Sequence, residues 1–217
     1  MERTVSVPLY VGAFLMSLVI FLLGIYVGSI ADSSHLASIS EDVTSASDRV
    51  ASVQLLLLME GNSSTFCPVY SSELDAIDKD MEKTGYMLSY LEDEKGVYDN
   101  ELKRKYFVLE AESYLLSGKV KELCGDRNIL LINFYSNKGC GRCKEEGTEI
   151  LQARDELAAE GIDVKLFSFD GELNSSVADA LEAQYGVSGY PSVVINGKVY
   201  GGFRTSDELK ALIKGSP

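Results

Sequence analysis

The sequence predicts an α/β domain with a central mixed sheet, preceded by a helical hairpin and an N-terminal transmembrane helix. Three observations predict this class. The run Leu9–Ile30 is apolar and carries no charge. Residues 71–91 and 97–123 repeat apolar side chains at three- and four-residue steps. Beyond Ile129, short β-favouring runs alternate with helical patterns, as they do where helices cover a sheet. The resulting regions are 1–31 with the membrane helix, 32–61 as tether and helix, 62–124 as the hairpin and 125–217 as the α/β domain.

Leu9–Ile30 is diluted only by Gly12, Ser17, Gly24, Gly28 and Ser29. At about 1.5 Å per residue a helix of that length crosses a hydrocarbon layer of roughly 30 Å. A cleaved signal peptide is the competing reading, but its apolar region is usually shorter, and Val27-Gly28-Ser29-Ile30-Ala31 makes a poor cleavage pattern. An uncleaved anchor is expected. Arg3 precedes it, whereas Asp32, Glu41, Asp42 and Asp48 follow with Arg49 as the near cation, so residues 31–217 are expected outside the cytoplasm and the N-terminus inside. Ala31–Ser47, with a lone His35, reads as a tether that can become helical, and His35 as a surface residue of it. Asp48–Glu60 reads as a helix ending at Gly61, its apolar run Leu55–Met59 packed against the rest of the exported part.

In the hairpin, Leu74, Ile77, Met81 and Leu88 line the first helix, with Ser71 or Ser72 available to cap it. Glu92-Asp93-Glu94-Lys95-Gly96 is a polar turn, after which Leu102, Tyr106, Leu109 and Leu116 line the second helix. Such a pair needs a partner for its apolar side, either the sheet or another protein. Asn62-Ser63-Ser64 and Asn174-Ser175-Ser176 satisfy the glycosylation pattern and read first as surface loops.

Cys67 and Cys124 bracket the hairpin. The 4 cysteines allow three pairings. Cys140 with Cys143 is locally favoured, which leaves Cys67 and Cys124 as a structural bridge stabilising by about 4 kcal/mol. Electron relay between the two pairs, unpaired or intermolecular thiols, and a four-cysteine zinc site stand as alternatives. The zinc site lacks the usual two close pairs.

In the α/β domain, Ile129–Tyr135 reads as a buried strand, broken by Ser136-Asn137-Lys138-Gly139, which deliver Cys140 and Cys143 to a helix start. There, unpaired N–H groups and the helix dipole favour a thiolate. The helix Lys144–Glu160 is expected to bury Ile150, Leu151, Leu157 and Ala158. Val164–Phe169 is a second strand, and a helix follows to Tyr185. Ser192–Ile195 and Lys198–Tyr200 form a hairpin around Asn196-Gly197, and a last helix starts at Ser206.

The stretch Ile129–Cys143, followed at a distance by Gly186-Val187-Ser188-Gly189-Tyr190-Pro191, resembles the active-site region of the thioredoxin family, over about residues 125–214. The resemblance implies that Cys140 attacks, Cys143 resolves, and Pro191 is a cis residue with Tyr190 before it, whose backbone aligns an extended substrate. No cofactor or metal is implied. Three departures bear on mechanism. Arg142, beside Gly141, stands where the family often has Pro; it either favours the Cys140 thiolate and an oxidising centre, or is a solvent-screened loop cation. Asn133 replaces a buried acid, with one extra residue before Cys140, and Lys138 or Glu145 could substitute. Gly139 replaces a Trp, leaving substrate contact to Tyr190 and Tyr135.

A formal charge of −13, from 33 acidic against 20 basic residues, excludes nucleic acid as a general partner. The implied function is a thiol–disulfide oxidoreductase acting on protein thiols or disulfides outside the cytoplasm, oxidation or isomerisation favoured over reduction, with a membrane redox partner. The alternative is a membrane-anchored binding or assembly protein on the same scaffold.

Overall fold

The computed structural model describes residues 7–59 and 66–216, so Gly61 and the Asn62-Ser63-Ser64 triplet lie outside the described residues. Two compact units divide the chain, Met1–Glu41 and Asp42–Pro217. Helix α1, Val7–Met59, carries the first unit and the opening residues of the second. Within it Tyr10–Gly28 is long and apolar enough to cross a membrane, and none of that stretch is buried in protein. Residues 31–47, read as a tether, are helical: neither Gly nor Pro occurs between Ile30 and Met59 to interrupt them.

The second unit follows in the order α2 (Cys67–Lys95), α3 (Asn100–Cys124), β1 (Ile129–Tyr135), α4 (Cys143–Ala159), β2 (Val164–Asp170), α5 (Ser176–Tyr185), β3 (Ser192–Ile195), β4 (Lys198–Gly201) and α6 (Ser206–Lys214). Its share of α1 buries Val43, Ala46, Val50 and Val53, a stripe at helical spacing. Leu55 and Leu58 are exposed. The Leu55–Met59 run therefore does not pack as a block, because consecutive helical residues point in all directions.

Helix α2 starts at Cys67, ahead of Ser71 and Ser72, with Pro68 in its first turn and no side-chain cap. Proline's fixed φ suits that position and needs no N–H partner. Gly96 ends α2 in the left-handed conformation, and the Asp99 carboxylate accepts from the Glu101 and Leu102 N–H groups to start α3. The beginning of α2 and the end of α3 are joined by the Cys67–Cys124 disulfide.

The sheet order is β2-β1-β3-β4. β1 and β2 are parallel, joined across α4, whereas β3 pairs antiparallel with β1 and β4. Asn196 (φ 46°) and Gly197 (φ 82°) make the tight turn between β3 and β4. One face packs Leu131 and Val193 against Ile150, Ala153 and Leu157 of α4 and Leu209 and Ile213 of α6. Leu151 and Ala158 are exposed, because the buried stripe of α4 runs through 143, 146, 150, 153 and 157. On the other face, Phe107 and Tyr114 of α3 meet Phe169 and Phe167 edge-on, each pair at 5.4 Å.

β2 is an edge strand, and the hairpin covers it. The Ser168 N–H donates to Glu110 Oε2 at 2.6 Å, and Lys165 pairs with Asp78. Burial pushes Glu110 up to about 8. The Tyr106 hydroxyl sits 3.0 Å from the Met81 carbonyl and 2.6 Å from Glu110 Oε1. The hydroxyl donates to Glu110 Oε1 and shares its proton with the Met81 carbonyl.

A candidate dithiol centre at the end of the first strand

Strand β1 delivers the chain to an irregular segment, 136–142, before α4 begins at Cys143. The Ser136 N–H donates to Cys143 Sγ at 3.4 Å, and the Ser136 hydroxyl contacts the Glu172 carboxylate and accepts from the Lys138 N–H at 2.9 Å. Gly139 takes φ 72°, a left-handed conformation that a tryptophan there would adopt only with strain. Cys140 and Cys143 are disulfide-bonded. Cys140 is half-buried and Cys143 buried, so Cys140 is the more exposed of the two residues. Cys140 also lies ahead of the helix rather than inside its first turn. Arg142 sits at the N-cap and makes no side-chain cap there, which leaves first-turn N–H groups beside the cysteines.

Arg142 does not stand free. Its Nε and Nη2 each lie 3.0 Å from the Glu145 carboxylate, and its guanidinium stacks 3.4 Å from the Phe203 ring centroid. Its charge is thus largely committed to Glu145, whose carboxyl it holds below the usual range. Glu145 and Lys138 are exposed, and neither is a buried acid or base.

Asn133 is buried, and its Oδ1 lacks a partner among the described residues. Strand alternation puts Asn133 with Leu131 on the α4 side of the sheet. That layer holds the acid that sequence reasoning missed. Glu146 follows Cys143 by one turn on the buried stripe of α4 and is 0% exposed. Neither of its carboxylate oxygens has a side-chain hydrogen-bond donor among the described residues, and the Arg204 backbone N–H faces it. Burial pushes Glu146 up to about 7, against the opposing pull of Arg204 and Arg142. Arg204 donates from Nη2 to the Gly201 carbonyl at 3.2 Å, and its own buried Nε has no partner among the described residues. The sequence signal for Glu146 was its three-residue step from Cys143 and four-residue step to Ile150, masked by the polar run Lys144-Glu145-Glu146.

The Tyr190–Pro191 peptide is cis. The pairing of Phe134 with Ser192 brings Pro191 to the end of β1 from which the cysteine loop leaves. The Gly202 N–H donates to the Pro191 carbonyl at 2.8 Å, and the Tyr190 hydroxyl donates to Glu182 at 2.7 Å. Gly141 lies exposed in the turn between the cysteines. Tyr135 turns towards the hairpin, its ring 5.6 Å from the Lys103 ammonium, and burial keeps its phenol protonated. Lys103 pairs with Glu92 at 2.8 Å and Asp170 at 3.5 Å, all three largely buried. Glu92 also accepts from Asn137 at 3.3 Å, and Asp93 pairs with Lys144 at 2.8 Å. The hairpin turn therefore borders the dithiol loop. Cys67 and Cys124 lie at its other end, since α3 rises about 31 Å between Lys103 and Cys124.

No family model matches the chain. Among curated proteins it is 34% identical over 74 residues to the probable protein disulfide-isomerase A4 of Caenorhabditis elegans. It is 38% identical over 77 residues to the protein disulfide-isomerase of Oryctolagus cuniculus, and 33% over 73 to that of Drosophila melanogaster. These matches take in 34%, 36% and 34% of this chain but span 11%, 14% and 14% of those relatives. Similar solved structures include chloroplastic thioredoxin z, 19% identical over 46% of this chain and 87% of that one, with a TM-score of 0.34. The first thioredoxin domain of mouse protein disulfide-isomerase A4 is 25% identical over 45% and 69%, with a TM-score of 0.33.

Proposed function

We propose that this chain, which belongs over the matched segment to the thioredoxin-like family, is a membrane-anchored thiol–disulfide oxidoreductase acting on the cysteines of proteins outside the cytoplasm. The observation that carries this reading is the asymmetric disulfide: a more exposed Cys140 bonded to a buried Cys143 at the start of α4. In the oxidising direction a substrate thiolate attacks Cys140 Sγ, the Cys140–Cys143 bond breaks, and Cys143 leaves as a thiolate. A second substrate thiolate then attacks the substrate sulfur of the mixed disulfide and releases Cys140. The substrate loses two electrons and two protons, and the dithiol gains them. Glu146, buried one turn beyond Cys143, is assigned as the group that hands a proton to the departing Cys143 and takes it back in the reverse step. A membrane redox partner removes the two electrons to start the next cycle. Tyr10–Gly28 is assigned as the anchor, with the dithiol domain outside.

Purified full-length chain in detergent micelles should oxidise or isomerise a reduced, unfolded protein substrate, and the C140S/C143S double variant should not. Exchange that survives in the double variant overturns the reading. Direction follows from the reduction potential of the pair, where a value near −270 mV, that of thioredoxin, refutes the oxidising preference. Protease protection of residues 31–217 in intact cells tests the orientation, and cleavage from the cytoplasm refutes it.

A further inference from the structure

The chain reaches the cis Tyr190–Pro191 peptide from α5 by way of an exposed glycine, Gly189, with Ser188 exposed before it. Hydrogen bonds to its main chain hold its two ends, the Val187 N–H donating to the Glu182 carbonyl at 2.9 Å and the Ser192 hydroxyl to the Gly189 carbonyl at 2.7 Å, but neither fixes the Tyr190 side chain. The Tyr190 side chain runs across to the turn after β2, where its hydroxyl donates to Glu182 Oε1 at 2.7 Å. Glu182 comes from α5, and the space that both groups occupy is the space left by Gly171. A Cβ on Gly171 would stand 1.9 Å from the Tyr190 hydroxyl oxygen, 2.1 Å from Glu182 Oε1 and 2.3 Å from Tyr190 Cζ. Gly171 is not among the glycines with positive φ, so its backbone does not demand glycine. The close approach of the other two side chains does. Gly171 is itself fixed, because its N–H donates to the Tyr135 carbonyl at 3.0 Å, at the end of the strand that supplies the cysteine loop.

We infer that Gly171, Glu182 and the Tyr190 side chain form a latch that positions the Tyr190–Pro191 backbone beside the dithiol for an extended polypeptide substrate. This rests on the oxidoreductase reading and deepens it. The Tyr190 ring is committed to the latch rather than to the substrate, and what it offers the substrate is a fixed main chain. Gly171 and Glu182 touch neither substrate nor sulfur and act through Tyr190, so they are positioning residues. A latch of this kind favours substrates that lie along the loop as a strand and is indifferent to small thiols, which need no alignment.

The test uses the full-length chain in micelles, with Gly171→Ala as the first variant. KM for a cysteine-containing unfolded polypeptide should rise roughly tenfold, the effect of one lost hydrogen bond of alignment. Its kcat and its exchange with dithiothreitol should stay within about twofold, because the dithiol is untouched. Amide hydrogen exchange across 187–190 should quicken. Glu182→Ala, which removes the acceptor without adding bulk, should reproduce the KM rise and keeps the test available if Gly171→Ala misfolds. Glu182→Gln, which keeps an acceptor oxygen, should restore KM. A polypeptide KM unchanged in both Gly171→Ala and Glu182→Ala, in a chain whose wild type is active, overturns the latch. Equal loss towards polypeptide and dithiothreitol overturns it too, since that is a damaged dithiol. A wild-type chain inert towards both substrates sinks the oxidoreductase reading itself, a result distinct from either.

Discussion

Replacing Cys67 and Cys124 together by Ser tests whether that disulfide is a structural staple or a second redox pair. Its loop has a sequence separation of 57, for which the chain-entropy estimate is about 4 kcal/mol of lost stability. With a urea slope of about 2 kcal/mol per molar, the unfolding midpoint should fall by about 2 M. Tyrosine fluorescence can follow unfolding, since the chain holds 12 Tyr and 0 Trp. The same protein should keep its rate of thiol exchange at Cys140–Cys143 within about twofold in the absence of denaturant. The reason is distance: α3 rises about 31 Å between the end that borders the dithiol and Cys124. Sulfur atoms at opposite ends of the hairpin cannot exchange by direct attack. A variant with an unchanged midpoint but slowed turnover would refute this reasoning and restore the relay.

Three further outcomes follow from the buried charges. Burial raises Glu110 from 4.5 to about 8 and Glu146 from 4.5 to about 7. The native state therefore keeps protons that the unfolded chain releases, and stability should fall as pH rises from about 5 to about 8. Glu110→Gln should flatten that slope in urea midpoints taken at pH 5 and 8; a wild-type midpoint that rises instead refutes the protonation states. Glu146→Gln should slow proton-coupled release of Cys143 by about 10²-fold and remove an inflection near pH 7 from the single-turnover rate. An unaltered pH profile refutes the proton role. Lys103→Met leaves Glu92 and Asp170 buried without their cation and should cost about 3–5 kcal/mol in unfolding free energy. A loss below about 1 kcal/mol means that the cluster is wet.

The fold was legible wherever a local signal was strong. β-favouring side chains mark 129–135 and 164–169 as strands, and Asn196-Gly197 marks the turn between two more. Sheet order was not legible, because it is set by side chains that meet across the sheet. α4 shows how a helix can be recognised and its face misread. Leu151 and Ala158 look like core residues, yet the 143–146–150–153–157 stripe buries a glutamate and leaves them out. Glu146 and Glu110 are buried by packing between elements, which the residues beside either one do not specify. At the dithiol, the cysteine spacing and the Tyr190-Pro191 dipeptide could be read in one dimension, and so could the three-residue step from Arg142 to Glu145. Phe203 under Arg142, and Gly171 under Tyr190, are long-range partners that no local pattern announces.

Sequence distance misleads most at the four cysteines. Cys124 precedes Cys140 by only 140 − 124 = 16 positions, which makes relay between the two pairs look easy. Those positions include β1, which at about 3.3 Å per residue carries the chain roughly 20 Å from one end of the sheet to the other. A hairpin that covers the β2 edge must run along the same direction. Its turn then falls at one end of the sheet and its termini at the other. β1 is parallel to β2 and begins just after the α3 terminus, so the termini share the end where both strands start, and the turn shares the end where they finish. The dithiol loop leaves from that second end. Covering the edge therefore puts the acidic turn beside Cys140 and Cys143 and the Cys67–Cys124 bridge away from them. One packing requirement sets both where the Cys67–Cys124 bridge lies and what borders the Cys140–Cys143 loop.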